Sequence, residues 1–359
     1  MTEKNCVSKW VCCFAFVLMC SLVSGCRKEK KETAATQVIS EDSSGKLCIG
    51  FSIDTLAIER WLRDCDVFLS TAKELGADVI VQNSGDSVEE QNKQIMYLIS
   101  RKVNVLVIVA KKADSLSGCI QKARSYGIPV ISYDRLITNA DINLYMTVNT
   151  EKVGEYMAQG LLKVQPAGNW FSILGPKEDY NMTLMQKGID RVLAGTPVNI
   201  VFTYYTDGWN YDLSYKEMSE KLKDGDIPDA VICGNDAVAD SVIRAISENY
   251  HGKHIPICGQ DADIAACQNI VEGKQTLTVY KPVTRLAQMA AEYAVKLAAG
   301  KTVAELLPKC DRINNGYGNI PVIWLDPHPV AKENIDDVVI KSDFHTYGEV
   351  YRNTLKKQK

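Results

Sequence analysis

From residue 47 onward, short apolar runs alternate with longer amphipathic stretches. Residues 47–53 are mostly apolar and read as a strand. Residues 58–75 follow as a helix, with Val67, Phe68, Ala72 and Leu75 on one face and Gly76 as its stop. Residues 79–81 predict a second strand and 87–101 a second helix, with Val88, Gln91, Ile95 and Leu98 in phase. Residues 105–109 are apolar and mostly β-branched, without alternation. That is the pattern of a strand covered on both faces, and therefore of a parallel sheet. A helix over 115–125 leads through Gly127-Ile128-Pro129 into a strand at 130–133. Strand–helix–strand repeats of this size predict a right-handed, doubly wound sheet.

The plan then begins again. Helices are expected at 150–163, 180–194, 210–223 and 236–248, and strands at 170–174, 198–204, 229–233, 255–259 and 276–280. In the helix over 283–299, Leu286, Met289, Ala290, Tyr293, Ala294 and Leu297 form one stripe. The segment 310–350 mixes short strands and turns. A chain of 359 residues suits two domains.

The first 26 residues differ from the rest. Lys4 and Lys9 precede an apolar stretch over 11–23 that is too short to span a bilayer comfortably and suits a secretory signal. It ends Leu22-Val23-Ser24-Gly25-Cys26, which resembles a bacterial lipobox; the resemblance implies lipid on Cys26. An uncleaved amino-terminal anchor is the other reading. Residues 27–46, rich in Lys, Glu, Thr, Ser and Asp, bury too little to order and read as a tether. The body carries Cys48, Cys65, Cys119, Cys233, Cys258, Cys267 and Cys310 with no C-x-x-C spacing, so free thiols and no zinc or redox motif are expected. A net charge of −3 gives no basic surface for nucleic acid.

Ligands of doubly wound sheets sit beyond the carboxyl ends of the strands. Here those ends are polar: Asp54, then Glu59-Arg60-Trp61; Asp134-Arg135; Asp179-Tyr180-Asn181; Asp207-Gly208-Trp209; Asn235-Asp236; Gln260-Asp261-Ala262-Asp263; Lys281-Pro282. Carboxylates to accept, Arg, Lys and Asn to donate, and indoles to cover C–H faces are what recognition of a polyol ring requires. Each residue also has a plainer reading. Asn235 and Asp236 could cap a helix, Trp61 and Trp209 could be core, and Arg135 could pair structurally with Asp134. No metal or cofactor is expected from so cation-rich a set. His251 and His254 fall in a loop. G-x-S-x-G, P-loop and G-x-G-x-x-G motifs are lacking, which leaves an enzyme such as a two-carboxylate glycoside hydrolase without support.

Over roughly 47–310 the chain resembles the periplasmic sugar-binding proteins of ABC importers, and among them the D-xylose branch. The marks are Glu59-Arg60-Trp61, Tyr133-Asp134-Arg135, Asp207-Gly208-Trp209, Gly234-Asn235-Asp236-Ala237, Gly259-Gln260-Asp261-Ala262-Asp263 and Thr278-Val279-Tyr280-Lys281-Pro282. Tyr180-Asn181-Met182 departs from the family's Asn-Asn-Ala. The resemblance implies a monomeric α/β protein of two doubly wound parallel-sheet lobes joined by a three-segment hinge. Crossings would lie near 151, 282 and 311, giving an amino lobe of 47–151 and 283–310 and a carboxyl lobe of 152–282 and 311–350. Arg60, Asp134, Arg135, Asn181, Asn235, Asp261 and Lys281 would hydrogen-bond a monosaccharide, and Trp61 and Trp209 would cover it. Its partners would be ABC permease subunits and, through Cys26, an extracytoplasmic membrane face. Delivery to a sensor kinase or chemoreceptor and preference for glucose or another hexose are the competing readings. A repressor of the same lobe plan would carry a helix-turn-helix where the signal and tether stand.

Overall fold

The structure, a computed structural model, describes residues 45–56 and 58–355. The expected signal, Cys26 and most of the expected tether lie outside the described residues. Buried apolar strands form the centre of each lobe. Strand β1 (Cys48–Ile53) is followed by α1 (Glu59–Glu74), β2 (Asp78–Asn83), α2 (Val88–Ser100), β3 (Val105–Ile108), α3 (Ser117–Ser125), β4 (Val130–Tyr133) and β5 (Leu144–Val148). The second run comprises α4 (Thr150–Leu162), β6 (Gly168–Leu174), α5 (Tyr180–Leu193), β7 (Val198–Tyr205), α6 (Tyr211–Lys223), β8 (Ala230–Cys233), α7 (Asp236–Asn249), β9 (Ile257–Cys258), α8 (Ile264–Glu272) and β10 (Leu277–Tyr280). The chain ends with α9 (Val283–Ala298), α10 (Val303–Leu306), β11 (Asp311–Asn314), β12 (Asn319–Leu325), β13 (His328–Ala331) and α11 (Tyr347–Val350), with a last short turn of helix beyond.

The strands make two sheets, ordered β11-β12-β5-β4-β3-β1-β2 and β13-β10-β9-β8-β6-β7. All pairings are parallel except β11 with β12 and β10 with β13. Ignoring those late strands, each sheet runs 2-1-3-4-5, so each has its switch point where the first strand of the lobe meets the third. Every residue of β3, β4, β5, β8 and β10 is buried, as expected for strands covered on both faces. Helix α9 buries Leu286, Ala287, Ala290, Ala291, Ala294 and Leu297 and packs on α1 and the first sheet. Helix starts are set by side chains that accept otherwise orphaned N–H groups: Ser87, Asn149, Asp179, Asn210 and Asn235 each cap one.

The chain passes between sheets after β5, between β10 and α9, and between β12 and β13. The third passage corrects the sequence-based boundary at 311. Strand β12 pairs with β5, with Val322 opposite Tyr145 and Leu325 opposite Val148, so 311–325 belongs to the amino lobe. The antiparallel partner of β10 begins only at His328. Cys48, Cys65, Cys119, Cys233, Cys258 and Cys310 are free thiols, with Cys233 and Cys258 fully buried on neighbouring strands.

Candidate functional site

Loops at the carboxyl ends of both sheets line one cavity. The amino lobe supplies Ile58, Arg60, Trp61, Asp134 and Arg135. The carboxyl lobe supplies Asp179, Asn181, Met182, Trp209, Asn235, Gln260, Asp261 and Lys281. All nine sequence-selected residues are therefore brought together, and each is buried. The apolar pair Ile58 and Met182 carried no polar signal. Asp179 and Gln260 stand in the polar strand-end set but outside the nine residues expected to bind.

The polar residues form a continuous charge network. Arg60 donates to Asp134 at 2.7 Å and to Asp64, four residues on, at 3.1 Å, and its other terminal nitrogen lies 3.9 Å from Asp261. Lys281 Nζ is 2.6 Å from Asp261 Oδ1. Arg135 pairs with Asp54 on its own lobe and, 2.8 Å from Nε, with Asp179 on the other. Asn181 Nδ2 donates to Asp134 Oδ1 at 2.9 Å. Arg135–Asp179, Asn181–Asp134 and Arg60–Asp261 are contacts between lobes, so the structure holds them closed. The guanidinium carbons of Arg60 and Arg135 stand 4.2 and 5.5 Å from the centre of the Trp61 ring, within cation–π range.

Local backbone chemistry aims these groups. Asp134 (φ 61°), Trp209 (φ 54°) and Asp261 (φ 105°) all occupy the left-handed region, which costs a non-glycine residue energy and concentrates at ligand sites. The Asp134 carbonyl is held by Thr147 Oγ1 at 2.8 Å and by the Tyr145 hydroxyl at 3.0 Å. Trp209 fits because position 175 is glycine: a Cβ there would stand 2.3 Å from the indole. Asn235 meets both of its sequence readings. Its Oδ1 caps α7 by accepting from Val238 N–H at 2.9 Å, and the residue lines the cavity beside Tyr211. Trp61 and Trp209 are buried rather than partly exposed, and neither indole N–H has a hydrogen-bond partner among the described residues. Gln260 Oε1 is likewise unpartnered, while its Nε2 donates to the Gly234 carbonyl at 2.6 Å. Unsatisfied buried donors and acceptors lining one cavity are groups a polyol could satisfy.

Five carboxylates (Asp54, Asp64, Asp134, Asp179, Asp261) meet three cations here, and all eight residues are buried. Burial raises Asp64 to about 6 despite Arg60, and raises Asp54 despite Arg135. For Asp134 burial is outweighed by Arg60, Lys281 and Arg135, which hold it below the usual carboxylate range. Burial opposes the charge of Arg60, but Asp134, Asp64 and Asp261 outweigh it and keep the guanidinium ionised. Asp64 went unremarked in the sequence; its spacing of four from Arg60 on a helix was the available signal.

Asp236 lies behind the Asp261 turn. It accepts from Thr278 at 2.7 Å, Gln275 at 2.9 Å and Asp263 N–H at 3.1 Å. Burial pushes its carboxyl up to about 8, with the Thr278 bond opposing and the Asp261 charge adding. The folded chain thus keeps a proton that the unfolded chain loses above about pH 4. This contribution to stability is complete below about pH 4 and disappears as pH rises through about 8. Asp236→Asn is therefore expected to flatten the loss of stability between about pH 5 and 8, a slope of at most roughly 1.4 kcal/mol per pH unit. Urea unfolding of both proteins across that range checks it, and identical slopes would contradict it.

The ion pairs draw the lining together until the cavity measures about 20 Å³, room for about one water. A monosaccharide enters only if the lobes part and the Arg60, Asp134, Lys281 and Asp261 side chains exchange partners with its hydroxyls. A larger, open groove of about 910 Å³ lies at the amino ends of β3, β4 and β5, near Asn104, Pro129 and Asn143. It is the wrong end of the sheet for a doubly wound ligand site and lacks the convergent charge.

Two doubly wound lobes enclosing a polar, indole-lined cavity define a cleft-closing solute-binding protein. The model of the periplasmic binding protein domain matches residues 49–302. The D-xylose-binding periplasmic protein of Haemophilus influenzae is 40% identical over 323 residues, covering 89% of this chain and 96% of that protein. Its namesake in Escherichia coli is 40% identical, covering 84% and 92%. An ABC transporter solute-binding protein from Clostridium phytofermentans, solved with β-D-glucose bound, superposes with a TM-score of 0.78 at 26% identity, covering 84% of this chain and 99% of that one. The chain belongs to the periplasmic binding protein family. It is a solute-binding protein and not an enzyme.

Proposed function

We propose that this protein captures D-xylose outside the cytoplasm by hinge closure and delivers it to an ABC importer, held to the membrane through lipid on Cys26. The observation that carries the reading is the convergence of Arg60, Trp61, Asp134 and Arg135 from one lobe with Asn181, Trp209, Asn235, Asp261 and Lys281 from the other on one cavity. In the bound state the carboxylates accept from sugar hydroxyls, Arg60, Arg135, Asn181 and Lys281 donate to them, and the indoles of Trp61 and Trp209 cover the ring. Contacts from both lobes coexist only when the cleft is shut, so ligand shifts the population toward the closed form. A pentose has about ten heavy atoms; micromolar affinity, roughly −8 kcal/mol, asks about −0.8 kcal/mol of each, within the roughly −1.5 limit for small ligands.

Thermal unfolding with a panel of pentoses and hexoses tests the proposal. D-xylose at about 100 times its Kd is expected to stabilise the protein by about 2.7 kcal/mol and to change tryptophan fluorescence through Trp61 or Trp209. D-glucose, the sugar bound in the Clostridium phytofermentans relative, and D-ribose are expected to act more weakly at equal concentration. An equal or larger response to either overturns the xylose assignment.

A further inference from the structure

The carboxyl-terminal tail reaches the cavity from behind. His345 is buried, and its Nε2 lies 2.8 Å from the carbonyl oxygen of Ala262. A carbonyl only accepts, so this ring nitrogen donates. Ala262 (φ 56°) follows Asp261 (φ 105°), making two successive non-glycine residues with left-handed backbone in the turn that presents a ligand carboxylate. Such strain persists only where the surroundings over-determine it. The N–H side of the turn is held from within the lobe: Asp261 to the Val279 carbonyl at 2.9 Å, Ala262 to Thr278 Oγ1 at 3.2 Å, and Asp263 to Asp236 at 3.1 Å. On the carbonyl side, Ala262 takes the His345 bond and a longer, weaker one from Cys267 Sγ at 3.5 Å.

The preceding residue faces the other lobe. Arg63, on α1, donates to the Phe344 carbonyl at 3.1 Å, and its guanidinium carbon stands 3.8 Å from the Phe344 ring centre. The same ring packs on Tyr280 at 4.9 Å, next to Lys281. Helix α1 thus meets the Asp261 turn twice: directly through Arg60, and through the chain Arg63–Phe344–His345–Ala262.

We propose that His345 and Phe344 are positioning residues for ligand binding: His345 fixes the Asp261 turn in its ligand-competent form, and Phe344 fastens that turn to the opposite lobe through Arg63 when the cleft shuts. The proposal rests on the cavity being the sugar site.

The test measures D-xylose affinity and dissociation rate in the full chain and hydrogen exchange at the 261–263 amides. His345→Ala is expected to weaken affinity at least about 10-fold and to speed exchange at those amides. His345→Gln, which keeps a side-chain donor, is expected to restore most of the affinity and the protection. In an Asp261→Asn background His345→Ala is expected to add almost nothing, because it acts through Asp261. Arg63→Met is expected to raise the dissociation rate at least about 3-fold with the association rate unchanged. Full additivity of His345→Ala with Asp261→Asn, or failure of Gln to rescue, overturns the positioning role. An unchanged dissociation rate in Arg63→Met overturns the link to the other lobe. Absence of D-xylose binding by the unsubstituted protein would count against the sugar reading alone; faster amide exchange in His345→Ala would still support the hold on the turn, and unchanged exchange would overturn it.

Discussion

Arg135→Ala is expected to cost about 3–5 kcal/mol of folding stability and to abolish measurable sugar binding. Arg135 is 3% exposed, and its guanidinium stands between Asp54 on its own lobe and Asp179 on the other. Removing it leaves two buried carboxylates without their cation. Burial already pushes Asp54 upward with Arg135 present, so without the arginine this carboxyl must take a proton or draw in water. The inter-lobe pair is lost at the same time, and the closed form loses one of the contacts that holds it. Urea unfolding and calorimetric titration with D-xylose read the two effects separately. A variant with unchanged stability would mean that these ion pairs are not formed.

Asp261→Ala is expected to weaken D-xylose binding by at least about 2 kcal/mol, roughly 30-fold, with a smaller effect on folding. Asp261 faces Lys281 at 2.6 Å and Arg60 at 3.9 Å. Its loss leaves Lys281 buried without this counter-charge and removes an acceptor for sugar hydroxyls. Affinity within about 3-fold of the unsubstituted protein would place the ligand elsewhere.

The elements that make local contacts were legible in the sequence. Val105–Ile108 advertised a doubly covered strand because apolar residues fill both faces, and the α9 stripe advertised a helix packed on one side. Strand β5 was not legible. Leu144–Val148 is fully buried, but it follows a polar stretch and carries Thr147, whose hydroxyl is spoken for by the Asp134 carbonyl. Helix α8 was hidden by its shortness and by the Asp-rich turn before it. The third lobe crossing was misplaced because the partner of β12 is β5, far back in the chain, and no local pattern specifies such a pairing.

The site divides in the same way. Strand ends and indoles put all nine residues in a broader polar set, because ligand chemistry uses those side-chain types in that position, and the family resemblance narrows that set to the nine. What joins the lobes was invisible. Asp179 reads as an N-cap and is one, its Oδ1 accepting from Asn181 N–H at 3.0 Å, but its other oxygen holds Arg135. Phe344 and His345 stand in a tail with no periodicity, and their contacts to Arg63 and Ala262 arise only from the tertiary packing. Met182 lines the cavity with its sulfur 3.1 Å from Gly175 N–H, and no polar signal marks it.

A crystal structure of the protein grown with D-xylose measures the claim at the centre of this account. The expected result is one pyranose between Trp61 and Trp209, bonded to Asp134, Arg135, Asn181, Asp261 and Lys281, with groups of both lobes on the same sugar. Density for the sugar in the groove beside Asn104 and Pro129, or contact with one lobe only, would contradict it.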